Sequence, residues 1–414
     1  MIKSPLAPMQ RIELVDSLRG FALFGILMVN IHLMYEPITQ MIVGAKADAS
    51  ILHMISESFV KFFFEGKFYV IFSMLFGFGF YIYMNKSVDD PDSVLSVFRR
   101  RLFYLLLFGL AHIILLWAGD VLFYYALAGF MLILFRNKSD KKIMTWAVVL
   151  ISLPIFLMAI LTLGFSLASK GTEGQTTLDS SFMVGVDSTR ELVVQVTQVY
   201  STGSFSEIIS VRVTEYLNLL SGSLFSFVPV ILAVFLIGFW SARKGIHINY
   251  NDHLSLFRKL FWWGLVIGVI TSALYAYSYQ HAILMLPSGW TFISTSMHII
   301  GGAAMGMCYV SGIAILFIKG KACFFRKYLA PVGRMALTNY LMQSIITAFL
   351  FHSYGLGLYA KIEVWQGVVL TFIIFTLQIG FSRWWLSRFL FGPFEWLWRS
   401  LTYRRFQPFK PVQK

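Results

Sequence analysis

The sequence predicts an all-α protein, a polytopic transmembrane helix bundle of about ten spans with the N-terminus and C-terminus both cytoplasmic. Three observations carry that prediction. Of 414 residues, 57% are hydrophobic and 13% charged, and the mean hydropathy is +0.71; a soluble globular chain is about one quarter charged. Apolar runs recur at roughly the 20-residue length that crosses a ~30 Å hydrocarbon core. The 34 Lys and Arg gather in alternate connections, with about 27 on the side shared by both termini, the expected positive-inside bias. That bias explains the net charge of +14 without a nucleic-acid partner.

Taken in order, the predicted spans are 15–35, 60–84, 101–118, 120–136, 143–168, 222–242, 260–281, 293–318, 333–352 and 365–388. Lys3 and Arg11 precede the first, which lacks a small-x-small cleavage site and reads as an uncleaved span rather than a signal peptide. The third and fourth form a hairpin about Ala118-Gly119-Asp120. The stretch 169–207 is rich in Ser, Thr and Gly and reads as an outer loop. The polar-apolar spacing of 206–221 then predicts an interfacial or re-entrant helix. Gly264 with Gly268, and Gly302 with Gly306, have the spacing that lets helices approach closely. The terminal FGPFEWLWRSLTYRRF mixes aromatics and Arg as a cytoplasmic interfacial helix would. The whole chain, 1–414, thus reads as one membrane domain. It comprises an N-terminal five-span bundle (1–168), an outer loop plus interfacial helix (169–221) and a C-terminal five-span bundle with its tail (222–414).

Polar residues inside apolar spans are costly and normally face a cavity or a partner. Asp16 and Arg19 stand at the mouth of the first span, spaced to pair, and Asn30 follows eleven positions after Arg19. Eleven residues make about 1100° of turn, so Arg19 and Asn30 share a helix face about 16 Å apart. Toward the outer side the chain offers His32, Glu65, Lys67, His112, Trp117 and Asp120. A His beside a carboxylate is the arrangement that orients a general base, and His112 with Asp120 is the candidate pair. Arg100, Arg101 and Arg334 line up on the inner side with Arg19. Asn339 and Gln343, four residues apart, either bond across helices or line a cavity. His298, His281 and His352 read as interfacial. Cys308 and Cys323 are too few for a disulfide framework. Phosphate-loop, zinc-protease, nucleophile-elbow and dinucleotide fingerprints are absent, which argues against ATP-driven transport by this chain alone.

Several of these stretches resemble the YeiB-like family of multi-pass bacterial membrane proteins, whose C-terminal half is a domain of unknown function. They are D-x-L-R-G-F-A-L-F-G-I-L-x-V-N at 16–30, F-x-E-G-K-F-Y at 63–69 and G-L-x-H-x-x-x-L-W-x-G-D at 109–120. G-R-M-A-L-T-N-Y-L-x-Q-S at 333–344 and G-P-x-E-W-L-W-R-x-L-T-Y at 392–403 complete the set. The family is in turn similar to transmembrane acyltransferases, among them heparan-glucosaminide acetyltransferase and bacterial surface-polysaccharide O-acetyltransferases. Those enzymes resemble one another in an Arg followed, after ten intervening residues, by a polar catalytic residue, a pattern that falls on Arg19 and Asn30. That residue is His in the polysaccharide enzymes. In the heparan enzyme it is Asn with a His farther on, where this chain has Met41, leaving His32 or His112 as base.

The resemblance implies a cytoplasmic (inner) membrane protein and acyl coenzyme A as co-substrate, with no permanently bound cofactor or metal. Arg19, Arg100, Arg101 and Arg334 would hold the donor. Asn30, His112, Asp120 and His32 would carry the chemistry. Glu65, Lys67, Trp117, Asn339 and Gln343 would meet a glycan, lipid or small-molecule acceptor at the outer face. Two other readings stay open, a secondary transporter or efflux protein and a non-catalytic membrane partner, and so does an oligomer. The acyl-transfer reading expects Arg19 and Asn30 to open onto one continuous water-accessible channel.

Overall fold

A computed structural model of the chain describes residues 12–45, 50–85, 91–169, 172–246 and 250–411. Lys3, Arg11, Lys46, Lys86, Lys170 and Lys414, which enter the charge count above, lie outside them. The regular secondary structure of the described residues is all helical: α1 (Glu13–Tyr35), α2 (Gln40–Val43), α3 (Ile51–Phe63), α4 (Lys67–Met84), α5 (Pro91–Leu115), α6 (Leu122–Leu132), α7 (Asp140–Ala168) and α8 (Thr172–Thr202). There follow α9 (Phe205–Arg243), α10 (Leu254–Tyr279), α11 (Gly289–Ile318), α12 (Ala330–Arg334), α13 (Ala336–Phe351), α14 (Val364–Leu386) and α15 (Pro393–Tyr403).

Among the described residues, seven helical stretches are long and apolar enough to cross a membrane. The chain is a multi-span membrane bundle. Of the ten predicted spans, 120–136 and 333–352 form helices of only 11 and 16 residues in α6 and α13. The third lies in α5, whose Arg99-Arg100-Arg101 run interrupts its apolar character. Gly66, at φ +85°, breaks the second between α3 and α4; a left-handed backbone is cheap only for glycine.

Two expectations about 169–221 are corrected. Most of the predicted loop is the 31-residue α8, whose Val186, Val196 and Tyr200 are buried at roughly helical multiples. Segment 206–221 continues unbroken into the next span as the 39-residue α9, started by a Ser204–Glu207 capping box. At 1.5 Å per residue that helix is roughly 58 Å long, about twice the hydrocarbon core. It packs inward there. Glu215 accepts from the Thr39 backbone N–H (3.3 Å), the Thr39 hydroxyl (3.2 Å) and the Tyr200 hydroxyl (3.3 Å), while Arg212 Nη1 donates to the Ile114 carbonyl at 3.0 Å.

The bundle is centred on α1, 61% buried over its apolar window against 6% for α7 at the edge. Glycines set the closest crossings. A Cβ on Gly20 would stand 2.0 Å from the Leu329 carbonyl oxygen, and one on Gly333 would stand 1.9 Å from that of Asp16, so α1 and α12 touch backbone to backbone. Gly77 and Gly238 do the same for α4 and α9. Gly264 and Gly268 receive Cys308 and Met305 of α11, as their spacing predicts, but Gly302 and Gly306 face the α3–α4 break instead. The N-terminal and C-terminal spans therefore interleave around one helix.

Candidate functional site

Two cavities open along one face of α1. At the arginine-rich end a cavity of about 210 Å³ is lined by Arg19, Arg101, Arg334 and Arg399, brought from α1, α5, α12 and α15. Toward the opposite end a cavity of about 410 Å³ is lined by Asn30, Glu65, Trp117, Asp120, Tyr275 and His298 among mostly apolar residues. On α1 the lining residues Arg19, Leu23, Ile26 and Asn30 recur at i, i+4, i+7 and i+11, one helical stripe. Among the described residues they are two separate cavities rather than the one continuous channel expected. Ile26, Val121 and Tyr125 line both cavities and form a septum between them. Tyr125 is pinned in it by Ser73 Oγ at 2.7 Å and by donating to the Tyr69 carbonyl at 3.1 Å.

Positive charge dominates the smaller cavity. Arg19 pairs with Asp16 at 3.0 Å, and the Arg101 guanidinium lies 4.2 Å over the Trp398 ring. Arg334 Nε is buried without a hydrogen-bond partner. The one carboxylate lining the cavity among the described residues, Glu395, is already engaged. It accepts from the Thr338 backbone N–H at 3.0 Å and its hydroxyl at 2.5 Å, capping the start of α13. Burial raises the pKa of Glu395 above the ordinary carboxylate value. Arg100, rotated about 100° from its neighbour round the helix, does not line this cavity.

In the larger cavity the carboxamide of half-buried Asn30 makes no protein hydrogen bond among the described residues. Neither does the ring of His298, which lies between Tyr69 (ring centroids 6.3 Å apart) and Tyr275 (4.9 Å). Glu65 is held from two sides, by Lys61 at 3.1 Å and by the Tyr275 hydroxyl at 2.5 Å. Trp117 Nε1 donates to the Leu33 carbonyl at 3.1 Å, and Asp120 Oδ2 accepts the Phe123 N–H at 2.6 Å.

The other predicted residues lie off both cavities. His112 does approach Asp120, with Nδ1 2.9 Å from Oδ1 but out of line for a hydrogen bond. Its Nε2 is 2.8 Å from Ser344 Oγ, and the imidazole is completely enclosed. His32 points away from Asn30 into a separate small cleft beside His53 and Glu57, its Nδ1 2.7 Å from the Tyr35 hydroxyl. Two positions on a helix are about 200° apart, which is why Asn30 and His32 part company. Lys67 Nζ donates to the Lys61 carbonyl at 2.7 Å. Asn339 Nδ2 donates to Ser382 Oγ (2.9 Å) and the Val332 carbonyl (3.1 Å), and Gln343 Nε2 to Gln378 Oε1 (2.9 Å). Both amides thus hold α12, α13 and α14 together.

Sequence reading overlooked Arg399 and Tyr125 and placed His298 at the interface. The available signal for His298 was its depth in the eighth predicted span, close to that of Glu65.

Comparison with known proteins gives consistent relatives. The profile of a family described as "Protein of unknown function (DUF418)" matches residues 241–405. The uncharacterized protein YxaH of Bacillus subtilis is 33% identical over 98% of this chain and 97% of its own. The chain belongs to the DUF418 family of YeiB-like bacterial membrane proteins. YeiB of Escherichia coli, also uncharacterized, is 27% identical over 97% of this chain and 98% of its own. A 39.9 kDa protein from the amylase 3' region of Bacillus acidopullulyticus is 28% identical over 97% and 96%. No solved structure matches. A multi-pass helical protein with such bacterial relatives resides in the cytoplasmic (inner) membrane. The DUF418 match takes in His298, Arg334 and Arg399 but not Arg19, Asn30 or Arg101, so both cavities draw on the chain before the matched segment as well as within it.

Proposed function

We propose that this protein is a membrane-embedded acyltransferase that takes an acyl group from a cytoplasmic coenzyme A thioester to a hydroxyl or amine acceptor at the outer face. The observation that carries the reading is the pair of cavities on one stripe of α1. One is lined by four guanidiniums and the other holds an unpartnered carboxamide and imidazole, with a single septum between them. Guanidiniums bind phosphate oxygens with charge-assisted, often bidentate hydrogen bonds. The arginine cavity suits the diphosphate of the donor, whose nucleoside stays outside the bundle. About 16 Å of helix separates Arg19 from Asn30, a distance for the pantetheine arm to cover once Ile26, Val121 and Tyr125 part.

In this reading His298, rather than the enclosed His112, is the base. It accepts the proton of the acceptor as the acceptor oxygen or nitrogen attacks the thioester carbonyl. The Asn30 amide donates to the developing oxyanion. Collapse breaks the carbon–sulfur bond, and the thiolate leaves with the proton from His298. The products are the acylated acceptor and free coenzyme A. Glu65, fixed by Lys61 at 3.1 Å and by the Tyr275 hydroxyl at 2.5 Å, lines the same cavity as His298 and gives it a wall that does not move.

The test is binding and turnover measured on the same detergent-purified chain. Coenzyme A and acetyl coenzyme A are expected to raise the thermal midpoint, and Arg334→Gln to weaken that response about tenfold or more. Asn30→Ala and His298→Ala are expected to retain binding and lose transfer. The septum also suits a carrier with alternately open cavities. Absence of any stabilisation by saturating coenzyme A, together with gradient-driven flux in proteoliposomes, would overturn acyl transfer in favour of that second reading.

A further inference from the structure

A third feature shares no lining residue with either cavity. A groove of about 490 Å³ lies between α10 and α11, closed on one side by Phe21 of α1 and open on another past Trp262, which is 61% exposed. Its floor is a stripe of α11 running from Cys308 past Gly312 to Lys319. Gly312 keeps that floor low: a Cβ there would already meet the Phe261 ring at 3.3 Å. Eleven residues from Lys319 to Cys308 span about 16 Å, half of a ~30 Å hydrocarbon core and so the depth of one leaflet.

The ends of the groove differ. Arg258 lies near the start of α10 and Lys319 follows the end of α11, so the antiparallel pair brings both cations to one mouth. Both are exposed, and neither makes an ion pair among the described residues. Over their lengths α10 and α11 contain no Asp or Glu, and the carboxylate just before α10, Asp252, is exposed in a turn. The charge at this mouth is therefore uncompensated by its own helices, while the rest of the groove is mostly apolar and aromatic.

We propose that the groove binds one anionic phospholipid, with its phosphate at the Arg258 and Lys319 mouth and one acyl chain lying over Gly312 toward Cys308. Charge selects an anionic headgroup over a zwitterionic one. Depth selects a lipid over a free phosphate, which would leave most of the groove unfilled. This inference stands apart from the acyl-transfer reading, because neither cavity contributes to it.

The experiment is native mass spectrometry of the full chain in detergent, offered equal amounts of dioleoyl phosphatidylglycerol and dioleoyl phosphatidylcholine. Phosphatidylglycerol is expected to be retained in preference. A basic residue near an anionic lipid is worth about 1 kcal/mol, roughly a factor of five, so Arg258→Gln with Lys319→Gln is expected to cut retention roughly 25-fold. Gly312→Leu fills the floor while leaving both cations, and is expected to abolish the preference. A distant control, Arg405→Gln with Lys410→Gln, is expected to change nothing, and glycerol 3-phosphate, a headgroup without tails, to compete poorly. Thermal midpoints establish that each variant is folded; should Gly312→Leu fail to fold, the charge variant and its distant control decide alone. Retention that survives in both groove variants, or that falls equally in the distant control, means surface charge alone and overturns the proposal.

Discussion

Replacing Gly333 by alanine tests the crossing that assembles the arginine cavity. The added methyl would stand 1.9 Å from the Asp16 carbonyl oxygen, and a methyl on Gly20 would stand 2.0 Å from that of Leu329, where real contacts keep at least 3.0 Å. Both obstacles are backbone, so α1 and α12 must separate by about 1 Å, an overpacking that costs about 1–3 kcal/mol. Arg19 and Arg334 each adjoin one of these glycines and move with the helices. A 1 Å misplacement in a binding constellation lowers activity by as much as about 100-fold. The assay is thermal unfolding of the detergent-purified chain with a coenzyme A titration on the same samples, comparing Gly20→Ala and Gly333→Ala with Gly164→Ala and Gly380→Ala. The last two glycines are helical with nothing within 4 Å of a Cβ, so alanine there is expected to be neutral or to gain up to about 1 kcal/mol. If Gly333→Ala matches those controls in midpoint, the backbone crossing is wrong. If it is destabilised yet leaves coenzyme A affinity unchanged, the crossing stands and its link to the donor site falls.

Asn339→Leu and Gln343→Leu are expected to lower stability by about 0.6 kcal/mol for each interhelical hydrogen bond lost while leaving coenzyme A affinity unchanged, as midpoints and titration will show. His352, just past the end of α13, is pushed down to about 3 by burial and by the nearby Arg212. Between pH 6.5 and 3 the unfolded chain takes up a proton that the folded one refuses, so stability is complete above about 6.5 and declines as pH falls. His352→Gln is expected to flatten that slope in acid unfolding curves. Glu395 gives the opposite sign: its raised pKa makes its contribution full below the unfolded carboxylate value, near 4.5, and lost as pH rises through the folded one. Glu395→Gln is expected to remove that dependence, whereas Glu395→Ala uncaps Thr338 and costs about 1 kcal/mol at every pH.

The fold class was legible in the sequence because hydropathy and helical period are local properties of consecutive residues. The same locality placed Arg19 and Asn30 on one face of α1, since eleven residues fix a rotation regardless of what surrounds the helix. It also foretold a close helix approach at Gly264 and Gly268, whose partner, α11, only the structure names. It failed for α8, where sparse apolar residues on one face leave the mean hydropathy near that of a loop, and for α9, whose polar start concealed a continuous helix.

Tertiary structure alone decided which neighbours those faces meet. Arg399 reaches the arginine cavity because α15 folds back against α5, a contact nearly 300 residues away in sequence. His112 is enclosed because Ser344 of α13 covers its free nitrogen, while His298 lines the larger cavity beside Gly66 of the α3–α4 break. The septum of Ile26, Val121 and Tyr125 joins two helices and a turn that share no local pattern. Whether a buried polar group is glue or site depends on its partners, and in this bundle backbone contacts at Gly20, Gly77, Gly238 and Gly333 bring those partners together.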